Sequence, residues 1–270
     1  MKKVPIVFSV TSGKGGVGKT NVSVNLAYCL QKKGYNTLLL DADLGLGNVD
    51  VLLGIAPKYN LSHLFLEGVS IDKIVYTTEY GFKILPSASG VTELLNLSPG
   101  QKLELIDAMD ALEKEIDFLL VDTSAGINDN VIYFNLAVQH RIVIITPDLT
   151  SLTDSYALIR VLYMKYRIKR FHIIVNMAER PKEAKNIFKR IYSVCDKFLP
   201  EISLDWLGTI PKDDAVPKAV IDQKPFCYLK PNSLSCKGIL KIAEKVLTWE
   251  REEKVDGNIK FFWKKLLFDI

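Results

Sequence analysis

The residues with the plainest chemistry stand together near the start of the chain. Gly13-Lys14-Gly15-Gly16-Val17-Gly18-Lys19-Thr20 fits G-x-x-x-x-G-K-[ST] throughout. Glycines let backbone N–H groups close around phosphate oxygens. A helix opening at Lys19-Thr20-Asn21 would add its positive end. Lys19 can then reach the outer phosphates, and the Thr20 hydroxyl can ligate Mg2+. Carboxylates follow two later apolar runs, Asp41 and Asp43 after the first and Asp122 at the end of the second. Two carboxylates two residues apart at a strand end can face one cleft. One can orient an attacking water while the other tunes the metal or the loop. Phosphoryl transfer needs such positioning more than covalent chemistry.

These side chains need a frame. Val4–Val10, Thr37–Asp41, Phe118–Asp122, Ile142–Thr146 and Phe171–Asn176 are short, β-branched and unalternating. Such runs suit strands buried on both faces. Between them lie stretches of helical period: Asn21–Lys33, which ends at Gly34, then Gln101–Glu115 and Ser151–Tyr166. Alternating strands and helices predict an α/β fold, a three-layer open and mostly parallel sheet. Its ligands bind at the carboxyl ends of the strands, where Asp41, Asp43, Asp122 and Asn176 fall. No Asn-Lys-x-Asp guanine signature follows a strand, so ATP and ADP are expected rather than guanine nucleotides.

Lys14-Gly15-Gly16-Val17-Gly18-Lys19-Thr20 resembles the deviant Walker A loop of the MinD/ParA class of P-loop NTPases. Asp41–Gly54, Ile84–Gly90, Asp122–Asn130 and Thr146–Ile159 are more similar to the FlhG/FleN (YlxH, MinD-like) flagellar-number regulators than to other branches. The resemblance covers residues 4–245, with the C-terminal tail as a further match. It implies a slow ATPase that dimerises when ATP is bound, with Lys14 reaching the partner's nucleotide. It also implies that Asp43 is the hydrolytic carboxylate. Asp122 would hold Mg2+ through water, with Thr20 and Asp43 beside the metal. Asn176, Pro211 and Asp213 would lie at the adenine. The catalytic set is thus Lys14, Lys19, Asp43 and Asp122. Implied partners are a second copy of the chain, the cytoplasmic face of the inner membrane, and the GTPase FlhF, flagellar switch proteins or flagellar transcription regulators. Many members carry an N-terminal extension with a DQ-type motif that stimulates FlhF. Here the first strand begins within five residues, so the expectation is of a member without it. Division-site regulation (MinD) and DNA partition (ParA) are the alternatives.

The rest of the sequence narrows the field. Of 270 residues, 48% are hydrophobic and 24% charged, ordinary values for a globular chain, and the net charge of +4 selects no partner. Residues 1–10 read as a first strand rather than an export signal. Cys29, Cys195, Cys227 and Cys236 form no C-x-x-C pair, so neither a zinc nor a redox motif is indicated, and the iron–sulfur branches of the class are disfavoured. Arg160, Lys165, Arg167, Lys169 and Arg170 form a modest basic cluster, read as a solvated helix end rather than a nucleic-acid site. The ATPase domain spans residues 1–250 and a charged linker 251–257. Placing 258–270 on a helix puts Ile259, Phe262, Trp263, Leu266, Leu267 and Ile270 on one face with Lys260, Lys264 and Lys265 around it. That pattern suits an anionic membrane surface. A helix docked on the protein's own core is the other reading.

Overall fold

Apolar runs without polar alternation must be covered on both sides, and the chain folds accordingly. The computed structural model describes residues 4–43, 47–86, 98–250 and 262–265. Ile6–Ser12 (β1) and Thr37–Ala42 (β2) are buried at every position. Tyr76–Thr77 (β3), Lys83–Leu85 (β4), Phe118–Ala125 (β5), His140–Ile145 (β6), Arg170–Ala178 (β7) and Ser203–Pro211 (β8) complete the sheet. Its order is β3-β4-β2-β5-β1-β6-β7-β8. Neighbours are parallel except for the β3–β4 pair.

The helices form the outer layers. In chain order they are Lys19–Lys32 (α1), Val49–Leu53 (α2), Ser62–Leu66 (α3), Ile71–Ile74 (α4), Pro99–Glu113 (α5), Asp129–Ala137 (α6), Leu149–Tyr166 (α7), Pro181–Phe198 (α8), Ala215–Ile221 (α9), Phe226–Leu229 (α10) and Leu234–Val246 (α11). Successive strand side chains point to opposite faces. Phe8, Val10, Leu39 and Leu120 therefore pack with α1, α10 and α11 in one cluster. Val7, Leu38, Leu40 and Leu119 turn to the other face and meet α5 and α6. Farther along that face, Val143, Ile145, Ile173 and Val175 pack against α7 and α8.

The predicted strands and helices are present, with ends shifted by up to two residues except at the end of β5, which runs three residues farther, to Ala125. The register matters more than those ends. It sets Asp41 directly beside Asp122, and Val10 beside Asp122 on the other side. Acidic side chains from separate segments thus meet where three strands end.

Residues 262–265 form one helical turn. Phe262 and Trp263 are each 1% exposed and join the α5–α6 cluster. Phe262 stacks on Phe134 of α6 at a centroid distance of 6.4 Å. Lys264 is exposed. The two members of the expected apolar face that can be placed therefore lie inside the protein. Residues 251–261 and 266–270, which carry the expected linker and the rest of the tail, lie outside the described residues. So do Leu44–Leu46 and Ser87–Gly90 of the class-like stretches.

Candidate functional site

The phosphate loop joins β1 to α1. Gly18 is the residue before the helix, at φ +85°, in the left-handed region that favours glycine. No side chain caps α1, and its first turn holds no acidic residue. Its first N–H groups therefore point toward the loop as donors for an anion. Around this end lies a cleft of about 650 Å3, whose lining includes Gly15, Gly16, Gly18, Lys19, Thr20, Asn21 and Asp43.

Neighbouring elements brace the loop. The Ser12 hydroxyl donates to the Lys14 carbonyl at 2.7 Å, and Gly126 N donates to the Ser12 carbonyl at 2.9 Å. Asn176 Nδ2 donates to the Val17 carbonyl at 2.8 Å, while its Oδ1 accepts from Met177 N. Asn176, expected at the adenine, is in this structure a brace beneath the loop. Val17 itself is buried. Gly13 is pressed against α7, where an added Cβ would lie 2.1 Å from the Asp154 carbonyl carbon. Gly13→Ala must therefore displace backbone, not merely a side chain. Its cost should exceed the roughly 1–3 kcal/mol of ordinary overpacking. A fall in melting temperature with loss of fluorescent ATP-analogue binding is the expected result. Wild-type binding and melting would show that the contact is not needed.

The acidic residues divide by burial. Asp122 is fully buried beneath Lys19, and its Oδ1 accepts from the Ser23 hydroxyl at 2.8 Å. Burial raises its carboxyl to about 6, against hydrogen bonds from Thr20 and Ser23 and the charge of Lys19. Asp41, 4% exposed, accepts from Asp43 N at 3.1 Å and Val49 N at 3.2 Å. Burial, then the nearby Asp122, pushes it to about 7. It clasps the two ends of the loop between β2 and α2. Asp43 is half-buried, lines the cleft and accepts from Asn48 Nδ2 at 3.2 Å. Burial lowers the Lys19 pKa, while Asp122 and Asp43 pull it back up. The structural carboxylate is thus Asp41, and Asp43 is the one that lines the cleft with Lys19 and Thr20.

The residues fit a magnesium nucleotide. Among the described residues, the buried Asp122 Oδ2 has no hydrogen-bond partner, and Thr20 lies beside the same carboxylate. A water-bridged cation would satisfy that oxygen. When bound, Mg2+ would offset the charge on the outer phosphates. Thr20 and Asp122 would hold it, with Asp43 at the rim.

Lys14 stands apart. It does not line the cleft with Lys19. It lines a neighbouring cavity with Thr146, Pro147 and Asp148. Its ammonium is bound by the Asp148 carboxylate and the Thr150 hydroxyl, at the start of α7. The Lys14 contact, then the Thr150 N–H, lowers Asp148 to about 2. The class-like stretch Thr146–Ile159 is therefore what grips the start of the phosphate loop. Of the other residues expected at the adenine, Pro211 ends β8 opposite Ala178. Asp213 accepts from Ala215 N, Ser235 N and the Ser235 hydroxyl, tying α9 to α11.

Sequence order concealed one cluster. Cys29, Cys227 and Cys236 meet in the core, their sulfurs all within 4.8 Å of one another. Spacing of the C-x-x-C kind could not reveal them, because they come from three separate helices.

The ParA family model, described as NUBPL iron-transfer P-loop NTPase, matches residues 3–247. The chain is 41% identical to the antiactivator FleN of Pseudomonas aeruginosa over 261 residues, covering 97% of this chain and 93% of FleN. It is 34% identical to the flagellum site-determining protein YlxH of Helicobacter pylori, covering 96% and 88% respectively. Among solved structures, the septum site-determining protein MinD of Pyrococcus horikoshii, complexed with Mg-ADP, superposes with a TM-score of 0.70 at 24% identity, covering 90% of this chain and 96% of that one. That last likeness speaks for the fold alone.

Proposed function

The chain belongs to the ParA family of P-loop NTPases and is an ATPase; from that premise we propose a slow, dimerisation-switched regulator of flagellar number and placement. ATP binding brings two copies face to face, and the dimer is the signalling state. Hydrolysis, set by Asp43, returns the chain to the monomer. Full-length likeness to FleN and YlxH supports the flagellar role. The observation that carries the switch is the position of Lys14, whose ammonium is held outside the Lys19 cleft by Asp148 and Thr150 at the start of α7. In the proposed dimer that charge is offered to the nucleotide of the second copy, as an arginine finger acts in trans.

The tail supplies the membrane step of the proposal. No helix among the described residues is long and apolar enough to cross a membrane. Phe262 and Trp263 pack on α6, and α6 follows the segment Asp122–Asn128 that begins at the buried acid. Movement of that segment with the nucleotide would loosen the seat of the tail and free it for an anionic membrane. Two tails on one dimer then hold far better than one. FlhF, flagellar switch proteins and flagellar transcription regulators are the proposed partners downstream. The five basic residues from Arg160 to Arg170 are exposed at the end of the sheet away from the cleft, and Lys169 pairs with Glu201. Nucleic acid is accordingly not part of the proposal.

Sedimentation with anionic liposomes tests the membrane step. Binding should rise roughly tenfold or more from ADP to ATP. Truncation after Gly257 should abolish it, as should Phe262→Glu. The truncation is the cleaner variant, because a glutamate at 262 also places a charge in the core. Equal binding by the truncated chain would contradict the proposal.

A further inference from the structure

Three of the chain's four cysteines converge at one point in the interior. Cys29 comes from α1, the helix that opens at the phosphate loop. Cys227 comes from α10 and Cys236 from α11. Each is 2% exposed. The fourth, Cys195, lies on α8 in a different apolar cluster. The Cys236 sulfur lies against those of Cys29 and Cys227, all within 4.8 Å of one another. The backbone around them is fixed: Cys227 N donates to Asn25 Oδ1 at 2.9 Å, and Cys236 N to the Ser233 hydroxyl at 3.2 Å. Tyr28 and Tyr228, the sequence neighbours of two of the cysteines, pack edge-on with Tyr80 beside the group.

A small apolar residue would fill this space equally well, and thiols are often used that way. Three sulfurs from three helices, all within 4.8 Å, offer something an apolar cluster does not. Metal–sulfur bonds of about 2.3 Å place bound sulfurs roughly 4 Å apart, so the group needs little rearrangement to close on an ion. Soft thiolates select Cu(I) or zinc. Zinc in proteins is almost always four-coordinate, and no fourth His, Cys, Asp or Glu joins the group among the described residues. Three-coordination is ordinary for Cu(I).

We propose that Cys29, Cys227 and Cys236 form a buried three-sulfur site for a thiophilic monovalent ion, Cu(I), linking α1 to α10 and α11. The ion enters and stays as Cu(I), so no electron is exchanged. Each thiol that becomes a thiolate ligand releases its proton to solvent. The site is separate from the nucleotide cleft and does not depend on the flagellar reading.

Anaerobic titration of the reduced full chain with Cu(I), against the competing chelator bicinchoninate, tests the proposal. A single Cu(I) should be retained, the melting temperature should rise, and X-ray absorption should show a first shell of three sulfurs. Cys29→Ser and Cys236→Ser should lose the ion, and Cys195→Ser should keep it. Should either serine variant fail to fold, the sulfur shell of the wild type still decides. Retention by Cys29→Ser equal to wild type, tighter binding of zinc than of Cu(I), or a disulfide forming in place of ion uptake would overturn it.

Discussion

Lys14→Ala is expected to keep nucleotide binding and lose turnover by about 10³-fold or more, the range for a charge supplied in trans to a transferring phosphoryl group. Binding survives because the phosphate site is complete without this side chain. The cleft is lined by Gly15, Gly16, Gly18, Lys19, Thr20 and Asn21, and the uncapped start of α1 faces it. Lys14 is held on the other side by Asp148 and Thr150. What the substitution removes is the charge offered to a second copy. Light scattering in ATP should accordingly report monomer. Turnover within a few-fold of wild type would make Lys14 a surface cation paired with Asp148 and nothing more.

Asp43→Ala should do the reverse to the dimer. Loss of a carboxylate that positions the attacking water should slow hydrolysis by roughly 10²- to 10⁴-fold. Lys19, Thr20 and Asp122 stay where they are, and Asp41 still clasps Asp43 N and Val49 N through backbone contacts that an alanine keeps. The variant should bind ATP and remain a dimer long after wild type has returned to monomer. The negative charge removed also stood close to where the γ-phosphate lies, which favours retention further. Monomer in ATP at wild-type rates of hydrolysis would remove Asp43 from the mechanism. Asp41→Ala makes a useful contrast. It unclasps the loop, so its loss should appear as weaker nucleotide binding and lower stability rather than as a trapped dimer.

Much of this arrangement was legible in the sequence because its signals are local. The loop Gly13–Thr20 carries its own chemistry in eight consecutive residues. The strands are runs whose lack of alternation reports burial on both faces. The carboxylates follow those runs directly, so their place at the strand ends comes with the fold. What sequence could not separate was burial. Asp41 and Asp43 look alike as letters, yet one is a buried clasp and the other lines the cleft. Asn176 sits at a strand end where a base contact is natural, and sequence did not show that its amide also reaches the Val17 carbonyl, 159 positions away. The Lys14–Asp148 pair spans 134 positions and depends on how α7 crosses the loop. The cysteine trio joins positions 29, 227 and 236 only through the packing of three helices. Amphipathic pattern in the tail showed that one face must be covered, without saying by what. In the structure the cover over Phe262 and Trp263 is the protein's own core.

In the proposed dimer each hydrolytic site is made from two copies of the chain. Mixing the two variants tests it most directly. A dimer of Lys14→Ala with Asp43→Ala holds one site that has its own Asp43 and receives Lys14 from the partner. The other site has neither. If Lys14 acts across the interface, the mixture should hydrolyse ATP well above the summed rates of the two variants measured alone. If Lys14 serves its own loop, neither copy can hold a complete site, and the mixture will be no faster than that sum.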